Sequence, residues 1–133
     1  MDDIISGLIQ VLIADDSMPL RSGLRKLIEE HPGWLCAEAL NGRDAISKVQ
    51  QRAPDILILG LCMPVMDGLQ AARAISKLLP DRPILLYTTE LPSSLVSMAQ
   101  RCGIQGTVSK YDSGQIVSGI EALLRNETFF CRN

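Results

Sequence analysis

Four short apolar runs in this chain each end on residues that could do chemistry together. Residues 10–14 (QVLIA) end at Asp15-Asp16, residues 56–59 at Gly60, residues 84–87 at Thr88-Thr89, and the stretch 106–109 at Lys110. Two adjacent carboxylates can supply oxygen ligands to a hard cation, or face the positive end of a following helix. A hydroxyl and an ammonium can bond an anion. Two carboxylates without a metal repel phosphate, so Asp15-Asp16-Ser17-Met18-Pro19 is no phosphate-cradling glycine loop. Taken singly, each block has a plainer reading. Lys110 alone is a solvated lysine and Thr88-Thr89 a strand end. Asp67-Gly68 is turn and helix-start chemistry, and His31 is a partner for a helix C-terminus. Glu90 is an exposed loop carboxylate.

The elements that must position these residues follow from periodicity. Residues 10–14 read as a buried strand. Ser17 can cap a helix that tolerates Pro19 in its first turn, with Leu20, Leu24, Leu27 and Ile28 on one face. His31-Pro32-Gly33 ends it. Residues 34–40 form a second strand, Asn41-Gly42 a turn, and Ala45, Ile46, Val49 and Ala53 mark a second helix closed by Pro54. The run 56–59 is apolar throughout, as a central strand covered on both faces requires. A third helix over 68–79 turns Leu69, Ala72, Ile75 and Leu79 inward. After a strand over 84–87, Pro92-Ser93 opens a fourth helix over Leu95, Val96, Met98 and Ala99, closed by Cys102-Gly103. A fifth strand over 106–109 precedes a last helix capped by Asp112 or Ser113, with Ile116, Ile120, Leu123 and Leu124 buried. Residues 126–133 carry no further periodic segment. Strands alternating with helices imply a parallel α/β sheet.

Composition narrows the class. The chain has 133 residues, 47% hydrophobic and 4% aromatic, with a net charge of −2. That suits one domain, 1–133, with a core over about residues 9–125, built from Leu, Ile, Val and Ala. Positive charge is dispersed and gives no nucleic-acid footprint. No apolar run reaches membrane-spanning length, and the start, Met1-Asp2-Asp3, is the opposite of a secretory leader. Cys36, Cys62, Cys102 and Cys131 have no metal-ligand spacing and read as reduced thiols of a cytoplasmic protein. Cys36 and Cys102 are expected to pack as small hydrophobes.

Taken together, the acidic pair, the segment DILILGLCMPVMDG at 55–68, Thr88 and Lys110 resemble a response-regulator receiver domain of two-component (phosphorelay) signalling. The likeness covers roughly residues 11–124. Its ending, with Lys110-Tyr111-Asp112-Ser113 and Glu127-Thr128-Phe129-Phe130, is most similar to receivers that precede a helix-turn-helix DNA-binding domain. No such domain follows in these 133 residues, so a stand-alone or an excised receiver is expected. The resemblance implies a flavodoxin-like, doubly wound, five-stranded parallel sheet of order 2-1-3-4-5 with five helices. It implies that Gly60 stands where relatives carry the phosphoacceptor aspartate. It also implies a Mg2+ site at Asp15, Asp16 and the backbone carbonyl of Cys62, weakened by the missing carboxylate. Lys110 matches the lysine that pairs with phosphoryl oxygens, and Thr88 the hydroxyl that carries the activation signal. With no carboxylate at position 60, Lys110 is expected to turn to Asp15 or Asp16. Thr107 lies where many receivers carry a switch aromatic, and Tyr111 where proline is common.

The reading is therefore a non-enzymatic signalling domain that acts by protein–protein contact and cannot be phosphorylated at position 60. Its partner is a histidine kinase or another signalling protein. A homodimer is allowed, through the output face that relatives build from the fourth helix, fifth strand and fifth helix or through helices one and five. No direct nucleic-acid contact and no membrane contact are expected. Two alternatives stay open on sequence grounds: an ordinary receiver bearing an engineered change to Gly60, and a flavodoxin-like binder of a small ligand.

Overall fold

The computed structural model describes residues 7–132, so the acidic start at Met1 to Asp3 lies outside it. Strands β1 (Ile9–Ala14), β2 (Trp34–Ala39), β3 (Ile56–Gly60), β4 (Ile84–Thr88), β5 (Gly106–Ser109) and β6 (Phe129–Phe130) form one sheet in the order β2-β1-β3-β4-β5-β6. Every neighbouring pair is parallel. Five α-helices connect them: α1 (Met18–Glu29), α2 (Gly42–Gln51), α3 (Gly68–Leu78), α4 (Ser93–Arg101) and α5 (Gln115–Leu124). Among the described residues no helix is long and apolar enough to cross a membrane.

Alternation along the strands builds two core layers. Leu12, Ala14, Leu57, Leu59 and Leu86 pack with Ala45 and Val49 of α2, Ala72 and Ile75 of α3, and Ala99 of α4. Val11, Ile13, Ile56, Ile58, Leu85 and Tyr87 pack with Leu24 and Ile28 of α1 and Ile116 and Ile120 of α5. Strands β3 and β4 are buried along their whole length, which accounts for their unbroken apolar character.

The helix starts match local chemistry at three places. The Ser17 hydroxyl accepts from the amide of Leu20 at 3.2 Å, with Pro19 in the first turn. Asn41 accepts from the amide of Asp44 at 2.8 Å. Asp67 and Gln70 form a reciprocal capping box that starts α3. Helix α4 follows Pro92 at the N-cap position and has no side-chain cap.

Two expectations need correction. The sheet has six strands rather than five, because the segment after α5 adds β6 to β5, with Gly106 opposite Phe129 and Thr107 opposite Phe130. A two-residue strand is too short to show a period. Its pairing is fixed instead by the amides of Phe129 and Cys131, which donate to the carbonyls of Gln105 and Thr107 at 3.0 Å each. The last helix is not capped by Asp112 or Ser113. Ser109 caps a 3-10 turn over Lys110–Asp112, and α5 starts beyond it at Gln115. On α1 the fully buried stripe is Arg21, Leu24 and Ile28, with Leu20 and Leu27 only partly covered. Helix α4 covers Leu95, Val96, Met98 and Ala99 as read, with Met98 exposed.

Thr107 is wholly buried, and its hydroxyl donates to the carbonyl of Cys131 at 2.7 Å. This bond ties the end of the chain to β5. Thr107→Val keeps the shape and removes the donor. The expected result is a loss of about 1 kcal/mol in urea unfolding, with faster hydrogen exchange at the amides of Phe129 and Cys131 than elsewhere in the sheet.

Candidate functional site

The order β2-β1-β3 puts the neighbours of β1 on opposite sides, so chain direction across the sheet switches between β1 and β3. Ligand sites of open α/β sheets lie beyond the carboxyl ends of the strands at such a point. Here Asp15 follows β1, Gly60 ends β3, Thr88 ends β4 and Lys110 follows β5. Register carries them to one edge: Ala14 pairs with Leu59, Gly60 with Tyr87, and Thr88 with Ser109.

Asp15 is the centre of the cluster. Its side chain is 3% exposed. One carboxylate oxygen accepts from the amide of Ser17 at 2.9 Å. The other accepts from Nζ of Lys110 at 3.1 Å. Its backbone carbonyl accepts from the Arg21 guanidinium at 2.7 Å, and its amide donates to Ala39. Sequence reasoning left Lys110 free to choose either acidic residue, and the structure pairs it with Asp15. Asp16 is exposed, as is Cys62 on the loop after β3, while Thr88 is buried at the strand end. Among the described residues no group of three His, Cys, Asp or Glu side chains is placed to hold a metal ion.

Gly60 matters for the space beside it. A Cβ built on Gly60 would run into Oδ2 of Asp15 and lie 3.1 Å from its Cγ. The Asp15 carboxylate therefore occupies the room that a side chain at position 60 would need. Gly68 holds the loop in place from the other side. Its amide donates to the carbonyl of Leu61 at 2.8 Å, and a Cβ there would collide with the carbonyl of Gly60. The loop between these glycines contains a strained turn. Val65 has φ 73°, and the amide of Met66 donates across it to the carbonyl of Pro64 at 2.8 Å. That is a γ-turn with positive φ at a β-branched residue, an unfavourable combination.

Arg21 was not singled out by sequence reasoning, although its spacing with Leu24 and Ile28 places it on the buried stripe. Besides holding Asp15, it donates to Glu38 at 2.8 Å, and Arg25 engages the same carboxylate at 2.9 Å. Ser109 was also missed. Its hydroxyl donates to the carbonyl of Thr89 and accepts from the amide of Tyr111, linking the loops after β4 and β5. Lys110 lies 6.0 Å from the ring centroid of Tyr87. Burial raises the Tyr87 phenol above its ordinary range, against a lowering bond from Ser113. His31 stacks on Trp34 with ring centroids 3.6 Å apart and follows Glu30, the C-cap of α1.

The thiols divide by environment. Cys36 and Cys102 are buried, as their expected packing role requires, and Cys62 is exposed. Burial, and then the charge of Glu29, pushes the Cys36 thiol up to about 12. Its unfolded value is near 9, so the folded state keeps the proton in the window between. Stability from this group is full below about pH 9 and falls as pH rises toward 12. Iodoacetamide at about pH 8 is expected to modify Cys62 first and Cys36 only on unfolding, as peptide mass mapping would report. Val65→Gly removes the positive-φ strain, and thermal unfolding is expected to show a gain of about 1 kcal/mol.

The chain matches the response regulator receiver domain family over residues 11–121. It is 29% identical over 124 residues to the response regulator UvrY of Escherichia coli strain K12, covering 92% of this chain and 57% of that protein. Over 82 residues, 61% of this chain and 21% of the relative, it is 37% identical to a protein-glutamate methylesterase/protein-glutamine glutaminase of Alkalilimnicola ehrlichii. It thus spans little more than half of the first protein and a fifth of the second. Among solved structures it is similar to a LuxR-family two-component response regulator from Aurantimonas sp. SI85-9A1, with a TM-score of 0.88 at 30% identity over 92% of this chain and 89% of that one. Chemotaxis protein CheY4 of Vibrio cholerae superposes with a TM-score of 0.80 at 26% identity, over 86% and 97% of the two chains. With this match over most of its length and the site at the expected sheet edge, the chain belongs to the response-regulator receiver family.

Proposed function

We propose that this two-component receiver signals through protein–protein contact without phosphorylation at position 60. The observation that carries the reading is the Asp15 carboxylate, which leans into the space beside Gly60 and is bonded by Lys110 at 3.1 Å. Glycine offers no nucleophile for an acyl phosphate. The ammonium that would meet an incoming phosphoryl oxygen is already engaged by a buried carboxylate. Asp15, Asp16 and the Cys62 carbonyl would be the remaining oxygen ligands for Mg2+. The set is poor in charge and number, and Lys110 stands at Asp15 as a competing cation, so magnesium affinity is low. Partner binding shifts the populations of the domain's conformers directly. The partner class that suits this reading is a histidine kinase or another protein of the same signalling system.

The test is intact mass after incubation with acetyl phosphate and Mg2+, run on the native chain beside Gly60→Asp. The introduced carboxylate must displace Asp15 from its present position, since the two compete for the same space. Only a flexible side-chain end has to move, so the variant is expected to fold. Uptake of one phosphate by Gly60→Asp alone is the expected outcome. Uptake by the native chain would overturn the proposal and point to another acceptor.

A further inference from the structure

A second surface lies between α3 and α4, starting at the loop beside Gly60. It is a half-open cleft of about 500 Å³, running from the N-cap residue Asp67 to Lys77 along one side. Ten residues of helix give it a length of about 15 Å. Leu69, Met98 and Cys102 line it with apolar surface, and Met98 is 45% exposed. Arg73, Lys77 and Arg101 supply three cations, and each residue is exposed.

The charge is the informative part. The whole chain carries −2, yet this cleft is cationic. Its one acidic residue, Asp67, is committed to capping α3. Among the described residues none of the three cations forms a salt bridge, whereas Arg21, Arg25 and Arg125 each pair with a glutamate. Lys77 and Arg101 lie in the last turns of their helices, where they also complement the helix dipoles. That does not account for Arg73, in the middle of α3, whose guanidinium turns to the Cys102 thiol at 3.6 Å. A thiol is a weak acceptor, so this arginine is free to exchange it for a carboxylate.

We propose that the α3–α4 cleft is a docking groove for an acidic amphipathic helix of a partner protein. Arg73 and Lys77 stand one helical turn apart on α3, which matches glutamates one turn apart on an incoming helix. The apolar floor takes the leucine-type anchors between them, as in other helix-in-groove recognition. Met98 supplies an adaptable contact. The groove shares α4 with the output face of relatives but lies on the opposite flank of that helix. Helix α4 is nine residues long, lacks a side-chain cap and buries only Val96 and Ala99. A helix docked in this groove would therefore bias the most lightly anchored helix of the domain.

The experiment titrates the isotopically labelled full chain with a synthetic helical peptide of about 16 residues, carrying leucines at helical spacing and glutamates one turn apart. A control peptide has lysines in place of the glutamates. Saturable amide shifts confined to residues 67–77 and 98–102 are expected with the acidic peptide only. The double variant Arg73→Glu with Lys77→Glu should bind at least about tenfold more weakly, while Arg52→Glu, on the far side of the sheet order, should bind as the native chain does. Unchanged spectra outside the cleft verify that the variants are folded. Equal binding of both peptides, shifts elsewhere, no saturable binding, or displacement of the acidic peptide by millimolar citrate acting as a small anionic ligand would overturn the proposal.

Discussion

The Asp15 carboxylate is buried, and the architecture of the site supplies its partners. Stripping water from a charge costs several kcal/mol even after the protein relaxes. Asp15 recovers it from an amide two residues on and from an ammonium 95 residues away in sequence. The ammonium arrives only if β1, β3, β4 and β5 are all in register, because Lys110 is carried by the last of them. The backbone carbonyl of the same residue anchors Arg21, and through Glu38 that arginine ties α1 to the edge strand β2. One residue thus connects β2 at one edge with the end of β5, through its backbone carbonyl and its carboxylate.

The elements were legible where period and burial agree. The run 56–59 has no polar residue, and the corresponding strand has no exposed one. The cap at Ser17 followed from residue type alone, whereas Asn41, read as a turn residue, caps α2. The misses share a cause, which is that a long-range partner decides the outcome. Phe129 and Phe130 become a strand because Gln105 and Thr107 offer them hydrogen bonds, and nothing local encodes that. Arg21 stands at stripe spacing, but a buried arginine is tolerated there only because Glu38 and the Asp15 carbonyl meet its donors. Ser109 carries no local signal, because its hydroxyl works on a backbone carbonyl of another loop.

The site was legible as a set of strand-end residues but not as a geometry. Sequence placed Asp15, Asp16, Gly60, Thr88 and Lys110 at one sheet edge, yet could not say which of the two acidic residues Lys110 would meet. Tertiary structure separates them sharply: Asp15 points inward and is paired, while Asp16 is exposed. The difference follows from helix geometry. The amide of Ser17 lies within reach of the Asp15 carboxylate and fixes its direction, leaving the next residue to face solvent as the chain turns into α1.

Charge counting then links Gly60 to the rest. A second buried carboxylate beside Asp15 would leave two negative charges against one lysine, a balance that calls for a divalent cation. With glycine at position 60, the inner cluster of one carboxylate and one ammonium is neutral as it stands. The space above the glycine allows the Asp15 carboxylate to lean into it and meet Lys110. Under the proposed reading, loss of the side chain and closure of the ion pair are one event, since the same volume cannot hold both carboxylates. A site that is neutral and satisfied without metal or phosphate has no internal reason to change state. Under the proposed reading, switching is then imposed from outside, through surfaces that reach the lightly held α4. The same reading assigns signal input and output to the contacts of α4 rather than to the sheet edge.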